Sequence, residues 1–227
     1  MKYKPYPKYK PSGIEWIRDI PEEWNVLRLK YKISLDPSKN EVLKIISLDD
    51  DVTFLPMAYV TEGGDINDEN EKKLEDVFSG YTYFRDNDVV VAKITPCFEN
   101  GKGALIKGMK NSIGFGTAEF FVLRSKSLDV KYLFYLTKSD YFRKIGEASM
   151  KGAAGQKRIP DSFIKDFKIG FPEQIEQKRI ANYLDKKTTE IDGLIHKIES
   201  AIAKLREYRS SLITAAVTGK IDVRLEK

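Results

Sequence analysis

Apolar positions near the end of the chain recur every seven residues: Leu184, Ile191, Ile198, Leu205 and Leu212 fall in register, and Ile195 and Ile202 fill the position four residues on. So narrow a stripe, held over about four heptads, is the seam of a coiled coil, because an isolated helix with so thin an apolar face has nothing to bury it against. The pattern predicts one helix from Pro172, at a first helical position, to Thr218, with Gly219 as its stop. Such a helix spans about 70 Å at about 1.5 Å per residue. Gly193 inside it marks a bend or a close contact. No second segment of this kind exists in the 227 residues, so the partner helix is expected from another copy of the chain or a related one.

Upstream the period shortens to two. Asp88 to Ile94 is the best strand, an apolar run broken by one lysine; Asn100 to Gly103 reads as a hairpin loop and Ala104 to Lys107 as its return. Glu119 to Arg124 and Phe167 to Phe171 read as further strands, and Val26 to Ile33 alternates as a half-buried strand does. Val42 to Leu48 and Val52 to Tyr59 are compatible with strands, and Thr61 to Asp65 is a turn. Val130 to Leu136 and Tyr141 to Ile145 read as helices, and Asp161 or Ser162 as the cap of a short one. Met1 to Pro11 alternates Tyr, Lys and Pro, which suits an extended strap better than a helix or strand; Trp16 and Trp24 would dock it. The sum is a mixed α/β (α+β) body over 1–171 and a coiled-coil helix with a short tail over 172–227.

Composition sharpens this only in places. With 41% hydrophobic residues the chain can bury one sizeable core and spare a helical arm. A net charge of +5 and a pI near 9.0 favour a polyanionic partner. The distribution says more: residues 41–76 carry eleven acidic and three basic side chains, and residues 143–168 seven basic and three acidic, so two faces have opposite preferences. The acidic face would repel DNA. One cysteine, Cys97, excludes an internal disulfide. The lone histidine, His196, lies on the arm, which argues against a Cys/His metal site and a Ser-His-Asp triad. Without a signal pattern or a long apolar run, the expected location is the cytoplasm.

Several motifs suggest chemistry. Pro96-Cys97 is the dipeptide that carries the nucleophile of cytosine-C5 methyltransferases, yet no glycine-rich cofactor loop precedes it. Pro160-Asp161 with Asp166-Phe167-Lys168 resembles a metal-dependent nuclease pattern, but its acids are too close in sequence to converge from two strands. Gly101-Lys102-Gly103 lacks the spacing of a phosphate loop. The basic loop Lys151 to Arg158 is the stronger signal: its glycines allow close backbone approach, and Gln156, Lys157 and Arg158 supply donors for phosphates and base edges. Lys93, Asn100, Lys102 and Lys107, on or beside the hairpin, complete the candidate DNA-contacting set, with Lys110 nearby.

These residues resemble a known family, the DNA-specificity subunits of Type I restriction–modification systems. The resemblance runs through Tyr6 to Trp24, Asp88 to Pro96, Gly155 to Ile159, Phe171 to Ile180 and Leu212 to Asp222. It implies sequence-specific recognition of double-stranded DNA by a target-recognition domain, with no catalysis in this chain. It further implies modification subunits that carry S-adenosylmethionine and restriction subunits that carry ATP and Mg; no membrane is expected as a partner, for want of a long apolar run. Typical members have two recognition domains and two helical regions; this chain has one of each and reads as a half-subunit. Two copies joined antiparallel through Leu184, Ile191, Ile195, Ile198, Ile202, Leu205 and Leu212 would restore the pair. About 30 paired residues separate the domains by roughly 45 Å, or about 13 base pairs, which implies a palindromic target split by an unread spacer. Two rivals stand beside this reading: a free-standing coiled-coil interaction protein, and a methyltransferase using Cys97.

Overall fold

The computed structural model describes residues 4–67, 69–153 and 155–224. The first three residues of the expected strap, Ala154 of the basic loop and the last three residues of the tail lie outside these. The chain divides into two compact units, Met1–Ala181 and Asn182–Lys227.

Two four-stranded sheets organise the first unit. One has the order β4 (Ile33–Leu35), β11 (Phe120–Ser125), β8 (Asp88–Ala92), β9 (Gly103–Leu105), antiparallel throughout. The other has the order β6 (Glu71–Lys73), β5 (Asp51–Leu55), β10 (Ile113–Gly116), β7 (Thr82–Arg85), with β5 and β10 parallel. Three apolar clusters follow from side-chain alternation on these strands. Val90, Phe120 and Val122 point one way and meet Leu55 and Phe84 of the other sheet. Val89, Val91, Phe121 and Leu123 point the other way, onto α2 (Val130–Lys138), α3 (Asp140–Ser149) and α4 (Asp161–Asp166), through Leu133, Phe142 and Phe163. Val52, Phe54 and Phe115 form the third cluster with Val42 and with α1 (Leu74–Phe78). With both faces covered, β8 reads as a continuous apolar run rather than an alternating one.

Two short ribbons complete the unit. The N-terminal segment is more than a strap: β1 (Tyr9–Pro11) pairs antiparallel with β2 (Asp19–Pro21). Tyr6 Oη–H donates to Glu176 Oε1 at 2.7 Å, and Trp24 Nε1–H donates to the same oxygen at 3.3 Å. Trp16 stacks between Tyr141 and Phe167. The alternation over Val26 to Ile33 resolves into β3 (Asn25–Arg28), a 3-10 turn at Leu29–Tyr31 and β4; β3 pairs with β12 (Lys168–Phe171). Val42 to Leu48 is not a strand but the end of a 3-10 segment, Lys39–Lys44, and the loop after it. Ser38 caps that segment by accepting from Asn40 N–H. α4 is capped by neither Asp161 nor Ser162, since Pro160 holds the N-cap position.

α5 runs from Gln174 to Val217, so Pro172 precedes the helix rather than opening it. Glu173 C=O accepts the first helical bond, from Gln177 N–H. The first two turns belong to the body. Gln177, 3% exposed, donates through Nε2 to Pro172 C=O and accepts from Asp129 N–H, both at 2.9 Å. At the other end Gly219 adopts φ +70°, and Gly219 N–H and Lys220 N–H bond back to Ala216 and Ala215. This pair of reverse bonds satisfies carbonyls that the helix end would orphan. In the second unit the seam residues Ile191, Ile195, Ile198, Ile202, Leu205 and Leu212 are 42–65% exposed, and Leu184 is half-buried.

Candidate nucleic-acid interface

The buried strand β8 delivers its C-terminal end to the surface at Lys93. There the chain is gripped from both sides: Lys93 N–H donates to Glu119 C=O (2.9 Å), and Lys93 C=O accepts from Ile159 N–H (2.8 Å). Thr95 N–H donates to Lys157 C=O (3.0 Å), so the basic loop joins the end of the sheet as an extra rung. The loop is itself closed, with Lys151 and Arg158 exchanging both backbone bonds at 2.9 and 2.8 Å. Gly152, at φ +129°, has room for no side chain, because a Cβ there would lie 2.8 Å from Gln156 C=O. Lys93, Lys157 and Arg158 thereby share one stretch of surface, and exposed Gln156 sits in the same loop.

Charge in this stretch is organised around a carboxylate. Arg158 donates Nε–H to Glu119 Oε2 at 3.0 Å and Nη2–H to Glu119 Oε1 at 2.7 Å. The fork holds the Glu119 carboxyl below its ordinary value against a smaller opposing effect of burial, and Lys93 adds to the lowering. Arg158 is raised in turn by the same hydrogen bonds. The Lys93 ammonium lies 5.1 Å from the centre of the Phe121 ring.

The hairpin loop after Lys93 carries Asn100 and Lys102. Asn100 is exposed, its N–H bonded to Pro96 C=O at 3.0 Å, and Lys102 points its ammonium at Met57 C=O, 3.4 Å away. Lys138 on α2 fastens this loop from beneath, donating to Gly101 and Gly103 carbonyls at 2.8 Å each and to Glu62 C=O at 3.0 Å. Burial, then neighbouring Arg143, pushes its ammonium down to about 8. Lys107 stands apart: Ile106 N–H bonds to Asp88 C=O at the opposite end of β8, about 17 Å from Lys93 along the strand.

The residues that suggested catalysis have other engagements. Cys97 is half-buried in the turn after Thr95, its carbonyl accepting from Lys102 N–H at 2.9 Å. Asp166 binds Arg28 (3.2 Å) and Lys30 (3.3 Å), whereas Asp161 binds Lys165 (3.4 Å). Among the described residues no group of three or more His, Cys, Asp or Glu side chains is placed to hold a metal ion. His196 is exposed on the arm. No described helix is long and apolar enough to cross a membrane. Glu119 and Lys138 escaped the sequence reading. Glu119 carries only the signal of a strand's first residue, and Lys138, two residues past the expected helix Val130 to Leu136, carries none.

Comparison with known proteins gives the arrangement its context. Residues 21–204, from the end of β2 into the arm but short of its end, match the type I restriction modification DNA specificity domain. The EcoAI specificity subunit of Escherichia coli is 40% identical over 182 residues, 79% of this chain and 30% of that protein. The EcoEI specificity subunit of Escherichia coli is 33% identical over 207 residues, 85% of this chain and 34% of that protein. This chain thus spans about a third of the length of both relatives. The solved HsdS subunit from Thermoanaerobacter tengcongensis shares the fold with a TM-score of 0.60 at 18% identity, covering 88% of this chain and 50% of that one. A chain from a structure of the type I R-M system, solved for its complex assembly and conformational transition, gives 0.65 at 18% identity, covering 91% and 52%. With the match running unbroken from the N-terminal ribbon into the seam, the chain belongs to the type I restriction modification DNA specificity domain family.

Proposed function

We propose that this chain reads a DNA sequence as the specificity component of a type I restriction–modification complex, leaving catalysis to other subunits. The observation that supports this most is the family match over residues 21–204, which takes in the basic end of β8 and most of the arm in one segment. Phosphates would be met by the lysines Lys93, Lys102 and Lys157, which position without reading, and base edges by Gln156 and Arg158, whose planar groups can bond bidentately. S-adenosylmethionine chemistry on adenine belongs in this reading to a modification subunit, and ATP with Mg to a restriction subunit.

The arm adds a second element to the reading. Six large aliphatic seam residues, each at least 42% exposed, make an apolar surface that favours association. Pairing with a second copy, antiparallel about a two-fold axis, covers that surface and sets two reading domains apart, so the target is two short inverted repeats around an unread spacer. The test is co-expression with modification subunits and genome-wide mapping of methylated adenine. A split inverted-repeat motif is expected; a continuous or asymmetric motif overturns the symmetric pairing, and methylation independent of this chain overturns its role in recognition.

A further inference from the structure

We propose that Glu119 is a positioning residue that holds the Arg158 guanidinium ready to read a base edge. This rests on the proposed reading of Arg158 as a base-contacting group. The carboxylate takes the Nε and Nη2 side of the fork, at 3.0 and 2.7 Å. Of the five N–H donors of an arginine, those on Nη1 and the second on Nη2 stay available, and this outer edge can address the O6 and N7 acceptors of guanine. One side of the guanidinium is therefore occupied in a way that fixes the other.

The support extends to the backbone on both sides. Glu119 is held by its own carbonyl, which accepts from Lys93 N–H at 2.9 Å, and its N–H donates to Thr117 Oγ1 at 3.3 Å. Arg158 is held by the two bonds to Lys151 and by an isolated bridge to Ile94. Both residues thus hang from the same few residues at the end of β8, although the Arg158 side chain remains half exposed to solvent. An exposed arginine normally surrenders rotamer freedom when it binds; one braced from behind has surrendered it in advance. A single negative charge beside Lys93 and Arg158 still leaves the stretch net positive, so phosphates are not driven off. The two-point grip also fixes the plane of the guanidinium, which a bidentate contact with a base edge requires.

The experiment uses the assembled complex and two duplexes, one carrying the motif mapped by methylation and one scrambled. Glu119→Gln is expected to weaken binding to the cognate duplex roughly tenfold while binding to the scrambled duplex stays within about twofold and its salt dependence is unchanged. Glu119→Asp, which keeps the charge on a shorter stem, should recover part of the loss. Arg158→Lys should reproduce the loss of discrimination, and adding Glu119→Gln to it should cost nothing more. Equal tightening on both duplexes would make Glu119 a brake on phosphate binding and overturn the proposal, as would an unchanged ratio. Discrimination surviving in Arg158→Ala would overturn the reading of Arg158 itself, and the role of Glu119 with it; discrimination lost there but intact in Glu119→Gln would overturn the role of Glu119 alone.

Discussion

Arg124 shows how much one side chain can tie together. Its guanidinium grips Asp88 at both carboxylate oxygens (2.8 and 2.7 Å), touches Glu41, and lies over the Tyr83 ring, whose hydroxyl donates to Glu41 at 2.7 Å. Asp88 is 1% exposed, so this pair links β11 to β8 with its charges out of water, and removing either partner would strand the other. Burial works to raise the Glu41 carboxyl, but hydrogen bonds from Arg124 and Tyr83 outweigh it and hold it below its ordinary value. Burial and Glu41 together push the Tyr83 hydroxyl up to about 12. The linkage sign follows: a depressed carboxyl contributes stability that is complete above its unfolded value and lost as pH falls through the folded one. Urea unfolding between about pH 5 and pH 2 should therefore show a smaller decline for Glu41→Gln than for the unaltered protein. An equal decline in both would remove Glu41 from the account. Its inward engagement, with Asp51 on Lys73 and Glu71 on Lys110, explains why the acidic 41–76 region is less of a bare negative face than its composition suggests.

Among the elements, legibility tracked how far a pattern was local. β8 and α5 were plain because each carries its signal within its own residues, a continuous apolar run in the one and a heptad repeat in the other. β10 carries no strand signal of its own, since the glycines of Ile-Gly-Phe-Gly make sense only once its neighbour is known: a Cβ on Gly114 would fall 2.1 Å from the Phe84 ring. Those glycines leave room for an aromatic side chain arriving from another strand, which no local period records. The 3-10 segment at Lys39–Lys44 was hidden for the opposite reason, because Val42 alone is buried there and its apolar neighbours Leu43 and Ile45 are exposed. For the arm, Ile202→Asp places a carboxylate in the middle of the seam. If two arms pair there, each loses about 1.5–3 kcal/mol of apolar burial. Sedimentation should then show a monomer at concentrations where the unaltered chain is a dimer, whereas an unchanged mass would exclude that face from the contact.

At the level of the whole molecule, the family was readable from spaced motifs, while the candidate site was readable only in part. Sequence named Lys93, Lys157 and Arg158; it could not show that backbone bonds across more than 60 residues bring them to one end of β8, nor that Lys107 lies at the other. Length along the arm carries its own prediction. Deleting seven residues within it preserves the seam and, in an antiparallel pair, should bring the reading domains about 10 Å closer, shortening the unread spacer by about three base pairs. A methylation motif of unaltered spacing would show that the arm does not set the interval.

The double burial of β8 has one more consequence. A strand wedged between two separate apolar clusters, with Val90 facing one and Val89 and Val91 the other, has no direction in which to yield. The loops at its tip can therefore exchange residues while the beam they hang from keeps its place, so in the proposed reading their specificity can change without the frame.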